Sequence, residues 1–337
     1  MNEKVLAILE KRYPLMSAKK EDLDTIVDIY TTVWNPKETK EQLRERFYKR
    51  FFQNPYSKGF ESITVCKDKG RIIGYGGLLN FKLSYHGQIL PAAYSIDVAI
   101  LSDYQAAGVG FLLINYLRNQ KAVSMDANMN PAAKNLAQRM GGRDIRLCYY
   151  LRRWIRPADA LRGWRNPLFK VEECAGFDSR FDEFWQKNAG KGVIIGDRCH
   201  RILKWHYEIT STRKYHIFTL NYDKELVGYI IATTASLIGG LKKGIFIDYL
   251  FGNLSESVIK DFVLYVAYKL LRKRCICIDT VATQMYWPTV FKITGFEKKQ
   301  ETPDFMAYPN QITEGKDDLW NGKYWHLTLG DSDFYLP

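Results

Sequence analysis

The stretch Ala93–Gln120, AYSIDVAILSDYQAAGVGFLLINYLRNQ, joins three kinds of sequence. Ala93 to Leu101 is an apolar run that reads as a strand. Ser102 to Gly110 consists mostly of small residues and holds two glycines. From Phe111 the apolar residues return at helical spacing. A small-residue loop that opens a helix presents unpaired N–H groups and the positive end of the helix dipole, which suits a phosphate. Two common phosphate loops are excluded. A Walker A loop needs Lys-Ser/Thr after its last glycine, but Phe111 follows Gly110. A dinucleotide loop needs a third glycine three positions on, where Leu113 stands.

Outward from this stretch the chain alternates strands and helices. Leu23, Ile26, Val27, Ile29 and Tyr30 mark a helix, and ITVCKD with RIIGYGGLLNFKLSYHG forms a hairpin through Asp68-Lys69-Gly70. After the loop come a helix over about 110–120, the short strand KAVSMDANM, a helix PAAKNLAQRM stopping at Gly141-Gly142, and a closing strand RLCYYLRRWI. The second half repeats the order. YHIFTLNYDKELVGYIIATTAS is a hairpin and GIFIDYLF a strand. SESVIKDFVLYVAYKLLRKR is a helix with Ser255 at its N-cap, CICIDTVA a strand and YWPTVFKITGF a helix. Gly74 and Gly141 have the same separation as Gly228 and Gly295. Matching spacing and matching element order imply an internal duplication. The second copy has only the plain turn GNLSESV where the first has its glycine loop.

The run from Gln105 through Ala106, Ala107, Gly108 and Val109 to Gly110 resembles the coenzyme A loop of the GNAT (Gcn5-related) acetyltransferases, whose pattern is Q/R-x-x-G-x-G/A. Asn130, Ala133, Leu136 and Gly141 resemble the family's asparagine helix, N-x-x-A-x-x-L-Y-x-x-x-G-F. The likeness is good over residues 14–150 and weak over 190–300. It implies an α/β (α+β) protein of two fused GNAT-like lobes, each a mixed sheet flanked by helices, the second degenerate. Residues 1–155 would form the lobe binding acetyl-CoA, 156–185 a crossover and 186–337 the second lobe. The cofactor residues would be Val98, Ala99 and Ile100 on the strand, Gln105 to Gly110 in the loop, and Asn130. Two departures stand out: the family's tyrosine is Ala137 and its phenylalanine is Gly142. Loss of the tyrosine leaves the general acid open, although a thiol pKa of about 8.5 makes coenzyme A a tolerable leaving group without one.

Transfer of an acetyl group to an amine needs a proton acceptor, and Asp97 is the candidate, with a carboxylate that merely orders a loop as the alternative. Trp34, Asn35, Asn54, Tyr56 and Tyr94, and His200 and Arg201 from the second copy, are candidates for the acceptor site. The second lobe's DRCHRILKWHYEITSTRKYHIF is similar in texture to tandem GNAT proteins of bacterial surface-polysaccharide assembly, which implies a nucleotide-linked amino sugar as acceptor. An acetyltransferase for a peptide or small amine, and a non-catalytic acyl-CoA-binding protein, remain open.

Composition agrees with phosphorylated ligands. The 337 residues carry a formal charge of +12 and 14% aromatic residues. The basic residues are spread out and form no RNA-binding motif, so a nucleic-acid partner is not expected. Six cysteines without CxxC spacing read as buried small residues rather than zinc ligands or disulfides. No apolar run is long enough to span a bilayer, so no membrane insertion and a cytoplasmic location are expected.

Overall fold

The computed structural model describes residues 3–331 apart from 58, 157, 160–162, 165, 191 and 210–212. In the first half, helix α1 (Glu3–Arg12) leads into β1 (Leu15–Ser17), α2 (Leu23–Trp34) and α3 (Lys40–Phe52). The hairpin strands β2 (Ile63–Asp68) and β3 (Arg71–Tyr85) follow, then β4 (Gln88–Ile100), α4 (Val109–Arg118), β5 (Val123–Ala127), α5 (Pro131–Arg139), β6 (Arg143–Asp144) and β7 (Cys148–Trp154). The second half contains β8 (Phe169–Cys174), α6 (Arg180–Asn188), β9 (Ile194–Gly196), α7 (His200–Lys204), β10 (His216–Tyr222), β11 (Glu225–Ser236), β12 (Lys242–Phe251), α8 (Glu256–Leu271), β13 (Cys275–Thr283), β14 (Glu297–Lys298), β15 (Phe305–Pro309) and β16 (Trp325–His326).

Two mixed sheets share one strand plan. The first runs β1-β2-β3-β4-β5-β15-β6 and the second β8-β10-β11-β12-β13-β7-β14. In each the fourth and fifth strands are parallel and every other neighbouring pair is antiparallel. The glycine spacing has a physical basis. Gly74 pairs with Ile100, and Gly228 with Phe251, at corresponding points of the two sheets. Gly141 and Gly295 both have positive φ, 87° and 85°, where a side chain would be strained.

The sheets exchange strands. β7, expected to close the first unit, lies between β13 and β14 of the second sheet. In return β15, near the C-terminus, lies between β5 and β6 of the first. The boundaries expected at 155 and 186 therefore do not follow the sheets. The chain leaves the first sheet before β7, and β8, within the expected crossover, is an edge strand of the second. β9 and β16 also attach to the first sheet, through Leu83–Tyr85 of β3. Sequence spacing could not show this, because an exchanged strand has the same apolar pattern as one that stays home.

The exchange explains one departure from the GNAT pattern. A Cβ at Gly142 would collide with Cε1, Cζ and Oη of Tyr308, which β15 brings in. Ala137 and Met306 pack beside the same ring. A tyrosine from the far end of the chain thus fills the space left by small residues.

One apolar core runs through both lobes, from Ile26, Phe47 and Tyr75 to Phe181, Trp205 and Trp325. Trp205 Nε1 donates to the Lys49 carbonyl at 3.0 Å, tying the second half to α3. Arg198 is buried between Asp248 (2.8 Å) and Asp331 (2.7 Å), and Tyr207 Oη donates to Asp248 at 3.1 Å. Two local expectations differ from what is found. The expected helix YWPTVFKITGF is regular only as a π-helical turn at Trp287–Phe291. Ser255 does occupy the N-cap of α8, but its hydroxyl meets that of Ser257 rather than a helix N–H.

Candidate active site

β4 and β5 pair only where Ala92–Tyr94 meets Val123–Met125. Beyond Tyr94, β4 continues to Ile100 against β3 alone, so the two parallel strands part into a V. A bulge lies at this point. Tyr75 pairs with Ala99 and Gly77 with Ile96, which leaves Asp97 and Val98 opposite Gly76. Asp97 takes the left-handed φ of 54° that the extra residue imposes. The two glycines across from it are required by packing. A Cβ on Gly76 would lie 2.6 Å from Leu117 of α4, and one on Gly77 would strike Phe51 of α3. Helices can therefore press on both faces of the sheet beside the V.

At the open end of the V, Ser102–Ala107 forms a 3-10 turn and Gly108 turns left-handed (φ 81°) into α4. Gln105, Ala106 and Ala107 are exposed. The Gln105 side chain donates to the Ile100 carbonyl at 3.1 Å, which fixes the loop to the strand end. Leu9 of α1 would lie 3.1 Å from a Cβ on Gly108, so α1 braces the loop from behind. Asn130 caps α5, its Oδ1 accepting the Ala133 N–H at 2.8 Å.

The second sheet has the same V, and it is plugged. β12 and β13 pair only over Lys242–Ile245. Across the gap that follows, Tyr249 Oη donates to the Val281 carbonyl at 2.9 Å. The rings of Phe291, His326 and Tyr286 lie 5.0, 5.3 and 5.6 Å from that of Tyr249. Ile247-Asp248 corresponds to Ile96-Asp97, three residues before the partner of the shared glycine. Asp248 is sealed: burial pushes its carboxyl up to about 6 despite the pull of Arg198.

Asp97 faces α3, where Arg50 Nη1 donates to its Oδ2 at 2.5 Å. Arg46, one turn earlier, binds Glu38 at 2.5 Å and lies 4.8 Å over the Tyr30 ring. Nε and Nη2 of Arg46 and the Tyr75 hydroxyl are buried without a hydrogen-bond partner. Burial, and then the charge of Asp97, raise both Tyr30 and Tyr75 above the ordinary tyrosine range, so these hydroxyls keep their protons and can serve only as donors or acceptors.

The expected acceptor residues divide into three groups. Trp34 is 48% exposed, with its ring 6.5 Å from that of Tyr30, and Asn35 ends α2 with a left-handed φ of 43°. These two stand at the C-terminal end of α2, the helix that carries Tyr30. Tyr56, His200 and Arg201 form a second group at the junction of the lobes. Tyr56 Oη donates to Asp197, and Lys82 and Arg201 lie 5.1 and 5.8 Å from its ring. His200 Nδ1 meets Asp182 at 2.6 Å. Asn54 and Tyr94 are packing residues. Asn54 is buried, bonded to the Asn80 carbonyl (3.0 Å) and the Tyr56 N–H (2.8 Å). Tyr94 is buried with its ring stacked 5.1 Å from Phe81. Sequence reading missed Tyr30, Arg46, Arg50 and Tyr75. One signal was available: Arg46 and Arg50 each precede a phenylalanine of the buried Leu43, Phe47, Phe51 stripe, which places both at the flank of that face.

Comparison with known proteins agrees with this geometry. Residues 15–133 match the acetyltransferase (GNAT) domain family. No curated protein matches the chain in sequence. Among solved structures, a GCN5-related N-acetyltransferase from Anabaena variabilis is 14% identical with a TM-score of 0.67, over 89% of this chain and 73% of that one. A probable N-acyltransferase from Enterococcus faecalis is 13% identical over the same shares, with a TM-score of 0.65. Saccharomyces cerevisiae N-myristoyltransferase with bound myristoyl-CoA is 8% identical, with a TM-score of 0.54 over 88% of this chain and 83% of that one. Residues 15–133 thus match the acetyltransferase (GNAT) domain, and the chain as a whole shares its fold with a GCN5-related N-acetyltransferase of known structure.

Proposed function

We propose that the protein is an acetyl-CoA-dependent N-acetyltransferase whose acceptor is the amino group of a nucleotide-linked amino sugar. The observation that carries the reading is the asymmetry of the two Vs: the first, where β4 and β5 stop pairing at Tyr94, ends in an exposed small-residue loop, and the second is crossed by Tyr249 and its ring neighbours. Acetyl-CoA supplies the acetyl group as a thioester. The loop N–H groups from Gln105 to Gly110 suit its pyrophosphate. The bulge frees strand amides near Val98 to Ile100 to donate to the thioester carbonyl.

On the acceptor side, Asp97 takes the proton from the attacking amine, directly or through water. Arg50 holds that carboxylate in place. Tyr30 and Trp34 offer aromatic faces, and the Arg46 guanidinium over the Tyr30 ring offers positive charge for an anionic part of the acceptor. Tyr56 with Lys82 and Arg201 offers the same chemistry at the lobe junction. The test is thiol release from acetyl-CoA against dTDP-, UDP- and GDP-linked amino sugars, with coenzyme A titrated alongside. Saturable release with one nucleotide sugar supports the reading. Coenzyme A binding without release from any sugar refutes the acceptor, and no binding refutes the site.

A further inference from the structure

A cavity of about 550 Å³ opens in the second lobe at the start of β12, lined by Arg213, Lys214, His216, Thr234, Lys242 and Lys273. Glu173 lies at its edge, 2.7 Å from His216 and 3.6 Å from Lys273. The cavity is strongly cationic and has no role in the chemistry described above.

The turn joining β11 to β12 stands next to it. Ser236 pairs with Lys242, and Leu237 N–H donates to the Leu241 carbonyl at 2.8 Å, so the turn is closed and defined. Its tip reads Leu237-Ile238-Gly239-Gly240-Leu241, with both glycines at positive φ. Ile238 is 97% exposed, Leu241 43% and Leu237 40%. Isolated apolar residues on a surface need no explanation, but three on one tip do. The strand beyond the tip begins Lys242-Lys243, and Lys242 N–H donates at 3.0 Å to the carbonyl of Arg274, the last residue of Arg272-Lys273-Arg274. An apolar projection rimmed by cations is the pattern of a peripheral membrane contact, in which apolar side chains enter the headgroup boundary and the cations meet anionic lipid.

We propose that this end of the second lobe docks on an anionic phospholipid surface, with Leu237, Ile238 and Leu241 entering the interface and the cavity receiving a lipid phosphate. A free phosphorylated metabolite would use the cavity but would leave the exposed tip without a function. The contact is peripheral, in keeping with the lack, among the described residues, of any helix long and apolar enough to cross a membrane.

The test is co-sedimentation of the full-length protein with phosphatidylcholine vesicles and with the same vesicles carrying phosphatidylglycerol. Binding is expected only to the second, and it should be released by salt that shortens the screening length. Ile238→Asp should weaken it about tenfold or more, and Lys242→Glu with Lys273→Glu by a similar factor. Both variants change exposed or half-exposed side chains, and their melting temperatures report whether the fold is kept. Failure to bind phosphatidylglycerol vesicles overturns the proposal, as does binding that is unchanged by Ile238→Asp. Calorimetry with inorganic phosphate separates the sources: saturable, Lys273-dependent binding of phosphate without vesicle binding makes this a metabolite site instead. Loss of self-association in Ile238→Asp, again without vesicle binding, makes the tip a contact between copies and equally overturns it.

Discussion

The contact between Gly142 and Tyr308 gives the most direct test of the strand exchange. Gly142 has no positive φ, so its backbone accepts alanine. The new Cβ would nevertheless stand far inside van der Waals contact of the Tyr308 ring. That ring cannot easily move away. It is 3% exposed, its strand pairs with β5 at Ser124, its hydroxyl donates to Met306 Sδ at 2.9 Å, and the Arg118 guanidinium lies 4.2 Å over its face. Overpacking of this kind costs about 1–3 kcal/mol. Tyr308→Ala should cost about 3–5 kcal/mol, as aromatic truncation in a core does. In the Tyr308→Ala background, Gly142→Ala has no ring to meet and should be neutral or stabilise by about 0.4–1 kcal/mol. The two substitutions should therefore couple by about 1–4 kcal/mol. Urea unfolding followed by tryptophan fluorescence measures the cycle, with circular dichroism checking that one transition is being read. A Gly142→Ala cost below about 0.5 kcal/mol, or an equal cost in both backgrounds, would mean that β15 does not lie where the structure has it.

Three further outcomes are expected. Asp97→Asn keeps a hydrogen-bond acceptor for Arg50 but removes the proposed base, so kcat should fall about 10²–10⁴-fold with a nearly unchanged melting temperature; wild-type turnover removes Asp97 from the chemistry. Gly108→Glu puts a carboxylate and a left-handed side chain into the loop, at a backbone cost of roughly 1–2 kcal/mol; coenzyme A binding should vanish in calorimetry, and undiminished binding contradicts the proposed cradle. Burial holds His326, both of whose ring nitrogens lack a hydrogen bond, down to about 3 from 6.5. Below pH 6.5 the unfolded chain takes up this proton while the folded chain does not until about 3, so stability should fall with pH through that window. The slope is up to about 1.4 kcal/mol per pH unit. His326→Phe should flatten the pH dependence of the urea midpoint there, and an identical profile would rule out the histidine as the acid-labile group.

What could be read from the sequence was mostly local. The hairpin through Asp68-Lys69-Gly70, the loop before α4 and the helix PAAKNLAQRM that stops before Gly141 follow from turn chemistry and apolar period, and all three are found. The repeat could be read because Gly141 and Gly295 both end helical segments in a conformation that favours glycine. What could not be read depends on distant pairing. An apolar strand does not specify which of two equivalent sheets receives it, so β7 was assigned to the wrong one. Tyr94 and Asn54 have residue types common in binding sites, yet the packing of Phe81 and Asn80 turns both inward. Arg50 shows no sign of its role until α3 is laid against the bulge of β4.

The reciprocal exchange of β7 and β15 also sets the order in which the chain can be completed on the ribosome. The first sheet lacks the strand between β5 and β6 until Phe305–Pro309 has emerged, although β5 is made long before. At synthesis rates of about 5–20 residues per second this leaves β5 with an unpaired edge for roughly tens of seconds. During that time β7, made just after β6, can occupy the vacant place and must later be given up, or a neighbouring nascent chain can fill it. Expression of the first half alone should accordingly yield swapped dimers or aggregate rather than a free-standing first lobe, and slower translation of the second half should increase dependence on chaperones.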